Sequence, residues 1–201
     1  WSILGEIAGM TIGILVRSAS NVTIRNTEIR GYAYGIYFDE SSNSIIVNNV
    51  IVDNLIGIWF SYSFSNTIAN NTVMRNDGHG ILLAGSCGNT IIGNIVEGHY
   101  FGIELHGSCD NTILGNMITG NAYGIDLFDS SNNTIANNII ANNGRAGINL
   151  GPGNVIYNNL FNNTQNVVVY GSNYWNTTLT PGRNIIGGSW IGGNYWAIPN
   201  G

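Results

Sequence analysis

An all-β, single-stranded, right-handed parallel β-helix of about seven coils is the fold this sequence predicts, from three observations. Glycine followed by isoleucine recurs at Gly13, Gly35, Gly57, Gly80, Gly102, Gly124 and Gly147, in steps of 22, 22, 23, 22, 22 and 23 residues. A second column keeps the same register at Ile24, Ile46, Ile68, Ile91, Ile113, Ile135 and Ile156. Within a repeat the apolar positions alternate, as in Gly35-Ile36-Tyr37-Phe38 and Gly57-Ile58-Trp59-Phe60. A period of two belongs to a strand.

The elements of one coil follow in order. Each repeat has room for three strands of three to five residues and three turns, and no window of ten residues reads as an amphipathic helix. The turns are rich in Asn, Gly, Ser and Asp, which tolerate left-handed backbone. Two positions after the second isoleucine column stand Asn26, Asn48, Asn70, Gly93, Gly115, Asn137 and Asn158. The next position holds Asn49, Asn71, Asn94, Asn116, Asn138 and Asn159. Like amides stacked about 4.8 Å apart form hydrogen-bonded ladders, so these asparagines are expected to be scaffold, with Asn70 inside. The repeats are expected over residues 1–170, followed by a C-terminal appendage over 171–201. The chain opens in mid-repeat, as a segment excised from a longer protein would. Trp1 lacks a polar cap, and an uncapped coil end is a template for further β-pairing.

With 201 residues, 44% of them hydrophobic, the chain can bury a long core. Its six basic residues are all arginine, set against eleven acidic ones. No basic face tracks phosphates, so nucleic acid is not an expected partner. The longest apolar runs fall far short of a membrane span.

Cys87 and Cys109 lie 22 residues apart in the same Gly-Ser-Cys setting, hence on adjacent coils. The coil spacing suits a disulfide, the expected state, and an oxidising location outside the cytoplasm goes with it. Sequons at Asn21, Asn132, Asn162 and Asn176 are expected glycosylation sites of an extracellular protein, whereas the sequon at Asn70 falls on the expected interior ladder.

If the isoleucine of Gly-Ile points inward, the next residue points out. That column reads Leu15, Tyr37, Trp59, Leu82, Glu104, Asp126 and Asn149; two positions on come Arg17, Asp39, Ser61, Ala84, His106, Phe128 and Gly151. Tyr37 and Trp59 are expected to stack on sugar rings, with Asp39, Glu104 and Asp126 bonding to hydroxyl groups. Glu104 and Asp126, on adjacent coils about 5 Å apart, match the carboxylate spacing of a retaining glycosidase, and with His106 they are the candidate catalytic groups. Any two acids in one column are that close, however. A lyase would need a metal cage and an Arg or Lys base, and the outward columns near these acids hold neither residue. A further outward strip, Val50, Ile95, Met117, Ile139 and Leu160, is apolar, as interfaces are; its cover is expected to be the segment Trp175 to Trp196 or a second chain.

The recurring Asn-Thr-Ile, Asn-Asn and Gly-Ile signature from about Gly13 to Tyr170 resembles the NosD-type parallel β-helix repeats, also called the carbohydrate-binding and sugar-hydrolysis domain family. The tail, with Tyr174-Trp175-Asn176 and Gly192-Gly193-Asn194-Tyr195-Trp196, looks like the end of such repeats in archaeal cell-surface proteins. The resemblance implies a fold used by lyases, hydrolases, epimerases and many non-catalytic surface proteins. In such relatives a calcium-binding stretch follows the Asn-Tyr-Trp; none follows here, and no calcium site is carried over. The NosD name is associated with copper, but His79, His99 and His106 are expected to be separate exposed residues, so no metal or other cofactor is expected.

The reading reached is a non-catalytic extracellular or cell-surface module that is structural, self-assembling or glycan-binding. Its expected partners are copies of itself or cell-surface proteins, and polysaccharide. The alternative is a polysaccharide-acting enzyme: a glycoside hydrolase, lyase or epimerase.

Overall fold

The computed structural model describes residues 5–7 and 10–197. The expectation about Trp1 lies outside them. The chain winds into a parallel β-helix whose coils each contribute one strand to three long sheets of nine, eight and seven strands. Strands pair in register one repeat apart, as Ile81 with Ile103 and Ile103 with Ile125 in the nine-stranded sheet. The first strand, Gly5–Ile7, departs from the pattern and pairs antiparallel with Met10–Arg17.

The core is a set of columns. Ile36, Ile58, Ile81, Ile103, Ile125 and Ile148 are fully buried, and so are Ile46 to Ile156 of the second isoleucine column. Phe38 stacks on Phe60 at 4.9 Å. The glycine before each isoleucine is required by close approach: a Cβ on Gly35 would lie 2.6 Å from the carbonyl oxygen of Gly57 on the next coil. No larger residue fits there.

Four buried polar ladders close the turns. In one, the Asn49, Asn71, Asn94 and Asn116 backbone N–H groups each donate to the amide oxygen one coil on, at 2.8 to 2.9 Å. A second runs through Asn66, Asn89, Asn111 and Asn133, and a third through Ser63, Ser86, Ser108 and Ser130. The fourth contains Asn54, Asn76, Asn121 and Asn143, with His99 taking one rung. Buried backbone donors that the sheets leave over are satisfied in this way.

The column Asn26, Asn48, Asn70, Gly93, Gly115, Asn137 and Asn158 is a left-handed turn, every member having φ between +52° and +67°, and the expected amide-to-amide bond is seen in it between Asn158 Nδ2 and Asn137 Oδ1. Asn and Gly alternate there because both tolerate that conformation. Asn70 is therefore exposed, not interior, and its sequon is as open as those at Asn21, Asn132, Asn162 and Asn176.

Residues 171–197 return to the end of the solenoid. Asn173 and Asn194 supply the last rungs of two ladders, Tyr195–Trp196 pairs with Leu160–Asn162, and the Trp196 ring stacks on Phe161 at 4.6 Å. This segment extends the sheet and caps the core, leaving the apolar strip uncovered. Val50, Ile95, Met117 and Ile139 stay exposed, Met117 by 45%, while Leu160 is half-buried.

Candidate active site

The outer face of the nine-stranded sheet divides into two regions. Toward the N-terminal end Tyr37 stacks on Trp59 with ring centroids 4.5 Å apart, and Tyr34 meets Trp59 edge-on at 4.9 Å. Of the expected sugar platform, Tyr37 is 7% exposed and Trp59 is half-buried. Asp39 is bound to Arg17 Nε at 2.8 Å. This aromatic cluster is separated from Glu104 by the coil that carries Leu82, about 10 Å for two coil steps. The expected single site therefore splits.

Around Glu104 the groups converge. His79 Nε2 lies 2.6 Å from Glu104 Oε2. Glu104 and Asp126 are register partners on the strands Phe101–His106 and Tyr123–Phe128. Asn149 Nδ2 donates to Asp126 Oδ2 at 2.8 Å. Burial, chiefly, raises the Asp126 carboxyl above its ordinary value and the Glu104 charge adds to the shift, while the Asn149 hydrogen bond opposes it. Candidate residue His106, two residues along the strand from Glu104, is exposed and leans on Phe128 with centroids 5.0 Å apart.

A second column, missed in the sequence, lies beside the acids: Tyr34, Ile56, His79, Phe101 and Tyr123, each just before a Gly-Ile glycine. Strict alternation would put these side chains inside. The pairing passes over the glycine, from His79 with Phe101 to Ile81 with Ile103, and this local break in alternation puts His79 on the same side as Glu104. His79, Phe101 and Tyr123 stack at 5.2 to 5.3 Å.

The missing cation is also present. Arg145, in the turn before the strand Ala146–Leu150, sits 5.5 Å from the Tyr100 ring centroid and 5.8 Å from that of Tyr123. It belongs to no outward strand column, so only the turn geometry brings it here. Buried atoms with no partner among the described residues include Asn149 Oδ1 and His79 Nδ1.

The sulfur atoms of Cys87 and Cys109 lie within bonding distance across adjacent coils, with Cα atoms 4.7 Å apart.

A family model described as periplasmic copper-binding protein (NosD) matches residues 7–201. No curated protein matches the chain. Similar solved structures include the A-module of the Azotobacter vinelandii mannuronan C-5 epimerase AlgE6, with 16% identity and a TM-score of 0.71 over 94% of this chain and 59% of that one. The periplasmic alginate epimerase AlgG matches with 18% identity and a TM-score of 0.71, over 93% of this chain and 48% of its own. An alginate lyase from Paenibacillus sp. str. FPU-7 matches with 18% identity and a TM-score of 0.64, over 74% of this chain and 66% of its own. At these identities the likeness shows a shared fold, and the chain spans about half to two thirds of the length of these proteins.

Copper would need imidazole, thiolate or thioether ligands gathered around one point. Among the described residues no three His, Cys, Asp or Glu groups gather so. His99 is not the exposed residue expected: it is 5% exposed, and its ring nitrogens face the backbone of Asn76 and Val73. The two cysteines are joined to each other. The described residues of this chain do not fit copper.

Proposed function

This chain belongs to the NosD family, and we propose that it processes a polysaccharide containing acidic sugars at the outer face around Asp126. One observation carries the reading: on the adjacent coils of Glu104 and Asp126, a carboxyl raised chiefly by burial stands beside the His79–Glu104 pair, with Arg145 over Tyr123 further along the face. A partly buried acid with a raised pKa in a polar cluster is a mark of proton-transfer chemistry. Asp126 in its neutral form can give a proton or hydrogen bond to a sugar oxygen. The Arg145 guanidinium, 5.8 Å from the Tyr123 ring centroid, can hold a sugar carboxylate. The structural neighbours, two epimerases and a lyase of polysaccharides, support the same class. A location outside the cytoplasm fits the Cys87–Cys109 pairing and the periplasmic description of the family.

The test is incubation of the protein with alginate and pectate. Unsaturated chain ends, new reducing ends or solvent deuterium taken up into the sugar, each lost in Asp126→Asn and Arg145→Ala, are expected. Binding without any of these changes would reduce the protein to a carbohydrate-binding module.

We also propose a second role on a different side of the solenoid, self-association through the exposed apolar corner of Ile95, Met117 and Ile139. The two roles use separate surfaces.

A further inference from the structure

Two depressions lie side by side on the outer face, beyond Asp126. One, of about 340 Å³, is lined by Tyr123, Arg145, Asn149, Gln165 and Tyr170. The other, of about 420 Å³, is lined by Phe128, Asp129, Asn149, Pro152 and Tyr170. Asn149 and Tyr170 belong to both. The first depression sits at the N-terminal ends of the strands Tyr123–Phe128 and Ala146–Leu150, and the second at their C-terminal ends. The two together form a trough that runs along the strands, across the solenoid axis, for about 16 Å at about 3.3 Å per residue.

The two ends of the trough differ in chemistry. The first offers the exposed guanidinium of Arg145 with the amides of Gln165 and Asn149. The second offers an apolar wall of Phe128 and Pro152, with Asp129 at its edge. Tyr170 stands between them, 66% exposed. Asn149 commits its Nδ2 to Asp126 and leaves Oδ1 without a donor among the described residues.

We propose that this trough is a pair of adjacent sugar subsites divided by Tyr170, so that the saccharide chain lies across the solenoid and not along it. An acidic sugar occupies the Arg145 end, its carboxylate on the guanidinium. The apolar face of the next unit lies against Phe128 and Pro152. This rests on the polysaccharide reading above and adds the direction and the order of the units.

The experiment is calorimetric binding of acidic oligosaccharides, prepared from alginate, and of the same oligosaccharides with their carboxylates esterified. Tyr170→Ala and Phe128→Ala are each expected to weaken tetrasaccharide binding at least about tenfold. Arg145→Gln is expected to weaken the acidic ligand and to leave the esterified one near its wild-type value. Trp59→Ala, which alters the face further along the axis, is expected to bind as the wild type does. A loss at Trp59→Ala matching that at Tyr170→Ala would place the chain along the axis and overturn the proposal, as would wild-type affinity in both Tyr170→Ala and Phe128→Ala. A wild-type protein that neither binds nor alters any acidic polysaccharide would overturn the polysaccharide reading itself, whereas turnover that is indifferent to Tyr170 and Phe128 would overturn only the trough.

Discussion

Asp126 and His99 show how one side chain can carry an electrostatic cost inside an otherwise regular solenoid. Burial raises the Asp126 carboxyl, so its contribution to stability is fully present below the unfolded carboxyl value and is lost as pH rises through the higher folded value. At neutral pH the ionised form is therefore a cost. Asp126→Asn, isosteric and neutral, is expected to raise the Tm at neutral pH while abolishing turnover, a pairing of stability and function that thermal melts and the alginate assay measure together. His99 works in the opposite sense. The Asn76 N–H donates to Nδ1 at 3.0 Å and Nε2 lies 3.1 Å from the Val73 carbonyl, an arrangement the neutral ring satisfies. Burial lowers its pKa, with the backbone bonds opposing; among nearby charges His79 adds to the lowering and Glu97 resists it. Stability from the neutral ring is present above the ordinary histidine value of 6.5 and is lost as pH falls below it toward the depressed folded value. Melting curves across that range should show an acid-side fall in Tm that His99→Asn, the residue of the other rungs, makes shallower.

At the scale of strands and turns, the inward columns and the ladders divide the work. Ile103 is fully buried between Ile81 and Ile125, and Ile103→Ala is expected to cost about 2 to 5 kcal/mol through lost burial and a cavity. Truncating exposed Ile139 on the eight-stranded sheet should stay within about 0.5 kcal/mol. Denaturant melts that ranked the two the other way would contradict the assignment of faces. The period of the repeat and the inward isoleucines were legible because each coil restates them. The spacing does not separate the left-handed turn column from the ladder beside it, since Asn serves both purposes, and Gly93 and Gly115, on adjacent coils, are the signal of the turn. Cys87 and Cys109 occupy one turn column, and mass measurement after alkylation without reductant should find neither thiol modified.

For the molecule as a whole, the parallel winding leaves three faces and two ends, and the end formed by residues 171–197 is capped by Trp196 on Phe161 and by the last ladder rungs. The nine-stranded face carries the polar cluster and the trough. The corner between the other two sheets carries Ile95, Met117 and Ile139, with nothing of the described chain laid over it. If that corner joins two copies, Met117→Lys should shift the protein to monomer in sedimentation, because an unpaired charge buried at an interface is costly. Wild-type protein that is monomeric at high concentration would remove the assembly role and leave the polar face untouched.

The 22- and 23-residue period, the all-β class, the inward columns and the position of Glu104 beside Asp126 followed from the sequence alone, because a solenoid repeats a local pattern and every coil is independent testimony to it. Tertiary structure decided the rest. Whether Tyr37 offers a ring face, whether His79 reaches Glu104, and whether Arg145 stands over Tyr123 depend on stacking between coils and on the break in alternation at each Gly-Ile glycine. Those are contacts between residues some 20 positions apart with no shared local pattern, so only the packed coils bring them together.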